Sequence, residues 1–322
     1  MRTLDIDGVG PVSRIGLGTW QFGSREWGYG DDYADRTARD IVARALELGV
    51  TLFDTAEAYG FGKSERILGA ALGERRDEVA LASKIMPVAP FPKVVVNRAR
   101  ASAKRLGVRR IPLYQVHQPN PVVPDSVIMP GMKTLLDDGT IGAAGVSNYS
   151  LERWQKADSA LGRPVVSNQV SFSLANAGPL EDMVPFAQAE NRLVIAYSPL
   201  AQGLLGGKYG PENRPRDVRR TNPLFGTANL ARAQPLLDVL RDVAGTIGTT
   251  PSQVALAWLV NLPQVVAIPG ASSIEQLESN VAAAELDLDE SAMTALSDAA
   301  RDFTPVGAGR TVLDAVKERL GR

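Results

Sequence analysis

Eight short, β-rich apolar runs recur along this 322-residue chain, starting near residues 15, 51, 79, 112, 141, 165, 193 and 265. Between them lie stretches whose apolar residues return at helical spacing, among them Arg36–Leu48, Ser64–Leu72, Val94–Leu106, Asp125–Leu136 and Leu151–Leu161. Runs that are apolar at nearly every position predict strands covered on both sides, which is the habit of parallel sheets. Six of the seven intervals are roughly 23 to 37 residues, enough for one strand, one helix and their turns, and the last is about 72. Eight such units with no break in their order predict a closed (β/α)8 barrel, α/β in class, rather than an open sheet. A hairpin over Arg2–Ile6 and Pro11–Val12 is expected to precede the barrel. The long seventh interval holds a Gly/Pro/Arg loop, Gly203–Gly226, followed by helices near Ala231–Thr246 and Pro251–Leu262. Extra helices near Ser273–Glu285 and Glu290–Ala300 follow the eighth strand, and residues 1–322 are read as one barrel domain.

Residue types remove several chemistries. The chain has one histidine, His117, and no cysteine. Thiol nucleophiles are therefore absent, and catalytic zinc sites draw several ligands from His, Cys or carboxylates, so no metal is expected. The side chain best suited to proton chemistry near neutral pH has a single address. A net charge of −1 argues against a nucleic-acid or anionic-membrane footprint. Apolar stretches such as Val254–Val260 fall far short of the roughly 20 residues that span a bilayer. The first residues lack the apolar core of a signal peptide, and no disulfide framework suggests export, so a cytoplasmic location is expected.

Barrel chemistry belongs at the C-terminal strand ends. The second run ends in Asp54, the third in Lys84 and the fourth in His117. The fifth ends in Ser147-Asn148, the sixth carries Asn168-Gln169, the seventh ends in Tyr197-Ser198 and the eighth in Ile-Pro-Gly270. Asp54 and Lys84 close apolar segments, where unpaired charges are costly, which predicts that they pair. Tyr59, five residues past Asp54, sits on a loop able to fold over the same mouth. A neighbouring ammonium lowers a tyrosine pKa from about 10 toward working pH, making Tyr59 a candidate general acid. His117 would hydrogen-bond the same oxygen.

In order along the chain, Phe53-Asp-Thr-Ala-Glu-Ala-Tyr-Gly, Ala-Ser-Lys84, Val-His117, Gly145-Val-Ser-Asn148, Asn168-Gln169-Val and Tyr197-Ser-Pro-Leu resemble the motifs of the aldo-keto reductases. The resemblance runs from about Arg2 to Asn280. It implies a barrel enzyme that reduces aldehydes or ketones with a nicotinamide cofactor, usually NADPH, with NADH as the alternative. It assigns a catalytic tetrad to Asp54, Tyr59, Lys84 and His117. Ser147, Asn148 and Gln169 would hold the nicotinamide carboxamide, and Tyr197 would stack on its ring. Ser198, Pro199, Leu200 and Gln202 would follow the pyrophosphate, with Lys208 closing over it from the long loop. Gly270, Ser272, Gln276 and Asn280 match the adenosine end. Gly270 and Gln276 stand where many members carry a Lys and an Arg against the 2′-phosphate.

The Gly-rich loop after the first strand carries Trp20 and Trp27, an apolar wall for a substrate pocket together with Pro87 and Phe225. Such a wall suits a small apolar or aromatic carbonyl over a sugar phosphate. Two other readings share these residues. Lys84 at a barrel strand end beside an acid and a tyrosine would also suit a Schiff-base aldolase. The Tyr-Ser-Pro-Leu…Gly-Lys-Tyr stretch also resembles nicotinamide-binding potassium-channel beta subunits, which implies a regulatory role with little turnover. Oligomeric state is not legible in the residues.

Overall fold

A computed structural model of the chain describes residues 1–23 and 36–307. Strands β1 (Thr3–Ile6) and β2 (Gly10–Ser13) pair antiparallel, Thr3 facing Ser13 and Ile6 facing Gly10. The turn between them needs Gly8, which has φ of +77°. A Cβ on Gly8 would collide with the carbonyl oxygen of Gly142, so hairpin tip and barrel meet backbone to backbone.

Eight parallel strands follow: β3 (Leu17–Gly18), β4 (Leu52–Asp54), β5 (Ala80–Ile85), β6 (Ile111–Val116), β7 (Ile141–Ser147), β8 (Ser167–Ser171), β9 (Leu193–Tyr197) and β10 (Val265–Ala267). Each pairs with its sequence neighbour. The seam is closed by parallel bridges from Ile15 to Ala267 and from Gly18 to Gly270. There Gly16 N donates to Ala267 O at 2.8 Å, and Ala267 N to Arg14 O at 2.9 Å. Every strand begins within about two residues of its sequence expectation.

Eleven helices lie among the described residues: α1 (Ala38–Glu47), α2 (Lys63–Leu72), α3 (Pro92–Leu106), α4 (Asp125–Asp137), α5 (Leu151–Leu161), α6 (Met183–Ala189), α7 (Thr227–Arg232), α8 (Gln234–Ile247), α9 (Pro251–Asn261), α10 (Ile274–Ala282) and α11 (Glu290–Asp302). Their ends follow local chemistry. Ser150, Thr250, Ser273 and Asp289 accept backbone N–H groups of their first turns, and Gly107, Gly162 and Gly248 end helices in the left-handed region. The expected helix Ala231–Thr246 is two helices in the structure. Pro235 lacks an N–H and its ring crowds the preceding turn, so α8 starts afresh after Arg232. The seven-residue α6 had no sequence expectation, because two turns are too short to show a period.

Strand alternation sorts the barrel into two cores. Phe53, Leu81, Tyr114 and Val146 pack outward beneath the helices. Leu52, Ala80, Ala82, Leu113, Ala143, Ile195 and Val266 fill the interior, where Ile6 and Val12 of the hairpin join them. Inward positions farther along the same strands carry Asp54, Lys84 and Gln169 instead, so the interior turns polar toward one mouth. No helix among the described residues is long and apolar enough to cross a membrane.

Candidate active site

β4 delivers Asp54 and β5 delivers Lys84 into this polar end, both essentially inaccessible to water. Beyond Asp54 the backbone keeps following β5, with Thr55 N donating to Ala82 O at 2.9 Å and Glu57 N to Lys84 O at 3.3 Å. A turn closed by Tyr59 N and Ala56 O at 3.1 Å then brings Tyr59 over the mouth. Lys84 Nζ spends its three N–H donors on Asp54 Oδ1 at 2.6 Å, Thr55 O at 2.8 Å and the Tyr59 hydroxyl at 3.2 Å. Asp54 Oδ2 accepts from Gln169 Nε2 at 2.7 Å. The Tyr59 hydroxyl is an acceptor toward Lys84, which leaves its own proton for an incoming oxygen.

Burial pushes the Asp54 carboxyl up, opposed by the charge and hydrogen bond of Lys84 and by Gln169. Burial works against the Lys84 ammonium as well, yet Asp54 and Tyr59 together outweigh it and hold the lysine above its ordinary value. Tyr59 departs from expectation. Burial raises its pKa by more than Lys84 lowers it, so the net direction is up and the residue is a phenol at neutral pH. The sequence shows the cation but not the depth of the hydroxyl.

His117 continues β6 past its last strand residue, its N–H on Ile85 O at 2.9 Å. Its ring stands edge-on to Tyr59, centroids 5.7 Å apart. Burial, with Lys84 adding to it, lowers the imidazole to about 3, so the ring is neutral in the working range. Nδ1 is buried with no partner among the described residues. An orphaned buried N–H is costlier than an orphaned lone pair, which places the ring proton on Nε2.

Strands β7 to β9 line up the next group. Ser147 Oγ donates to Gln169 O at 2.8 Å. Asn148, in the left-handed region at φ 62°, donates its side-chain amide to His117 O and Ser147 Oγ, each at 3.1 Å. Tyr197 donates its hydroxyl to Asn148 Oδ1 at 2.9 Å. After β9 the chain turns through left-handed Ser198, Ala201, Gln202 and Gly203, with Pro199 buried and Leu200 half-buried. Three non-glycine residues in that region within five positions store backbone strain of the kind concentrated at ligand sites. Lys208 is exposed, its Nζ 5.2 Å from the Tyr209 ring. At the far end Gly270 sits on the barrel seam and accepts from Asn280 Nδ2 at 3.4 Å. Gln276 Oε1 accepts both the N–H and the hydroxyl of Ser272, at 2.9 and 2.7 Å.

The expected apolar wall is only partly present. Trp20 is 45% exposed, on a short helical turn following β3. Pro87 is buried and gives its carbonyl to Asn120 Nδ2 at 2.7 Å. Phe225 is corrected: it is wholly buried, edge-on to Tyr209 at 5.4 Å, because the long loop folds that ring into the main apolar core. Trp27 lies outside the described residues. A cavity of about 730 Å³ lies between the loop after β8, the end of the long loop and the segment after α11; Asn176, Leu224 and Phe303 line it, and the Asp54–Lys84–Tyr59–His117 cluster does not.

Sequence reading missed several residues around the cluster. Thr19 and Thr55 meet the Ser64 hydroxyl at 2.8 and 2.9 Å in a buried knot that holds Asp54 O and Thr19 O. Glu57 and Arg98 pair beside it. Glu57 stood in plain sight between Asp54 and Tyr59; Arg98, on α3, gave no signal.

The Aldo/keto reductase family model matches residues 14–301. An uncharacterized oxidoreductase of Mycobacterium tuberculosis is 71% identical over 322 residues, all of both chains. The solved glycerol dehydrogenase of Gluconobacter oxydans superposes with a TM-score of 0.85 at 28% identity, covering 95% of this chain and 98% of that one. An aldo/keto reductase from Klebsiella pneumoniae, solved with NADP and acetate, gives a TM-score of 0.74 at 28% identity over 94% and 96% of the two chains. The barrel and the match over most of its length agree: the chain is an oxidoreductase that belongs to the aldo/keto reductase family.

Proposed function

We propose that this protein reduces aldehydes or ketones to alcohols with NADPH, Tyr59 acting as the general acid. The observation that carries the reading is the buried Lys84 ammonium held between Asp54 Oδ1 and the Tyr59 hydroxyl. When bound, NADPH supplies the hydride for the carbonyl carbon. The chain's own residues handle the oxygen. Tyr59, kept a phenol by burial, donates its proton to that oxygen as negative charge develops there. Lys84 stabilises the phenolate left behind, and Asp54 fixes and balances Lys84. Neutral His117 donates from Nε2 to the same oxygen and orients it.

The residues present suit a nicotinamide dinucleotide. Asn148 and the strained turn from Ser198 to Gln202 hold four of the eight non-glycine residues with positive φ among the described residues. Ser147, Asn148 and Gln169 would hold the carboxamide and Tyr197 the ring face. Ser198, Leu200, Gln202 and Lys208 would follow the diphosphate; Gly270, Ser272, Gln276 and Asn280 would meet the adenosine. NADPH is favoured because the similar Klebsiella enzyme was solved with NADP. Exposed Trp20 suits an apolar or aromatic carbonyl.

The deciding experiment follows NADPH and NADH oxidation across simple aldehydes, dicarbonyls and ketones, with Tyr59→Phe alongside. Turnover lost in the variant supports the proposal. Tight NADPH binding with no turnover of any carbonyl overturns it in favour of a regulatory subunit.

A further inference from the structure

Glu57 and Arg98 touch neither Lys84 Nζ nor the strained turn, yet they meet where the loops after β4 and β5 leave the barrel. Glu57 lies three residues past Asp54 and two before Tyr59. Its Oε1 accepts the Met86 N–H at 2.7 Å. Arg98, from α3, grips both carboxylate oxygens, with Nε 3.0 Å from Oε2 and Nη2 on Oε1. Its remaining nitrogen, Nη1, donates to Met86 O at 2.8 Å and Val88 O at 3.3 Å. One guanidinium therefore ties the segment that carries Tyr59 to the segment that leaves Lys84.

The Arg98 side chain is 29% exposed and that of Glu57 10%, too sheltered to be screened as a surface pair. Bidentate charge-assisted contacts of this kind are both strong and directional. The brace extends one loop further. Asn120, three residues past His117, donates to Pro87 O at 2.7 Å and accepts from Val122 N and Val123 N at 2.7 and 2.6 Å. Loops leaving β4, β5 and β6, which carry Tyr59, follow Lys84 and follow His117, form one frame.

The Tyr59 segment needs outside support. It has left the regular ladder, it turns through left-handed Phe61, and Phe61 itself is 96% exposed. The Ser64 knot secures its start near Asp54, and Ser64 N meets Tyr59 O at 3.2 Å. Its middle is held by Glu57.

We propose that Glu57 and Arg98 are positioning residues that hold the Asp54–Tyr59 loop against the Met86–Val88 backbone. They keep the Tyr59 hydroxyl in reach of both Lys84 Nζ and an oxygen bound beside His117. A displacement of about 1 Å at such a group costs about 100-fold in rate. The role in turnover rests on the reductase reading; the brace itself does not, so the test has two arms.

In the first arm, Glu57→Ala lowers kcat about 10- to 100-fold. NADPH Kd, read by fluorescence quenching, stays within about twofold because the expected cofactor residues lie from the end of β7 onward, away from the Asp54–Tyr59 loop. Glu57→Gln, which keeps an acceptor for the Met86 N–H, recovers most of kcat. In the second arm, amide hydrogen exchange is read whether or not the protein turns over. Exchange across residues 55–61 and at Met86 quickens at least about tenfold in Glu57→Ala and in Arg98→Gln, while residues 147–169 keep their protection. Full kcat in Glu57→Ala, or unchanged exchange in both variants, overturns the proposal. Inactive wild-type protein with quickened exchange in the variants removes the reductase reading and leaves the brace standing.

Discussion

Gln169, on β8, donates its side-chain amide to Asp54, on β4, at 2.7 Å across the barrel mouth. The carboxylate thereby has one oxygen on Lys84 and the other on Gln169, and no water is needed to satisfy it. Gln169→Leu removes a donor to a buried charge and is expected to destabilise the fold by about 1–3 kcal/mol. Urea denaturation at neutral pH measures it. The same variant weakens NADPH binding if Gln169 also faces the carboxamide, so fluorescence titration separates the two duties.

Lys84→Met leaves Asp54 as a buried, unpaired charge, which typically costs about 3–5 kcal/mol. Adding Asp54→Asn should restore most of that stability without restoring activity. If single and double variants unfold at the same urea concentration, the two residues do not act as a buried ion pair.

Tyr59→Phe keeps the ring against His117 and removes only the hydroxyl. Carbonyl reduction should fall by about 10²–10⁴-fold, the usual contribution of a general acid. NADPH affinity should be retained, because the expected cofactor contacts are made from the end of β7 onward and not by Tyr59. Rates equal to wild type would remove Tyr59 from the mechanism.

One imidazole in the chain makes acid behaviour easy to assign. His117 has an ordinary value near 6.5 when unfolded and about 3 when folded, so between those values the unfolded chain binds the extra proton. Stability from this residue is complete above about 6.5 and is lost as pH falls toward 3. By pH 4.5, two units below the unfolded value, the loss is about 3 kcal/mol. Denaturation at pH 7 and pH 4.5 should show it, and His117→Gln should shrink it. The single imidazole proton resonance should stay flat from pH 8 to 5; a midpoint near 6.5 would contradict the buried neutral ring.

The adenosine end carries no lysine or arginine at Gly270 or Gln276, and Gln276 is occupied with Ser272. Gln276→Arg is expected to tighten NADPH about tenfold through one charge-assisted contact to the 2′-phosphate, with NADH unchanged. The gain should shrink with salt. Equal effects on the two cofactors would mean that Gln276 does not face the phosphate.

Much of the molecule was written in local patterns. Strand starts, the order of the barrel and the addresses of Asp54, Lys84 and His117 follow from short, nearly continuous apolar runs and the helical spacing between them, which a chain displays before it folds. Tyr59 stood on the loop past Asp54, and the family motifs added the cofactor roles from Ser147 to Asn280. Where local signals competed, the reading slipped. Pro235 split a helix that periodicity ran through, and Phe225 is wholly buried in the main apolar core.

What the sequence alone determined is therefore the alternation that makes a barrel and the kind of group at each strand end. Tertiary structure decided which of those groups touch. The Gln169–Asp54 bond joins residues 115 apart, and the Arg98–Glu57 bond residues 41 apart. It also decided the sign of the Tyr59 shift. Lys84 pulls that pKa down and burial pushes it up, and burial wins. Charge is carried by a residue's identity, but depth exists only once strands and loops have closed around it.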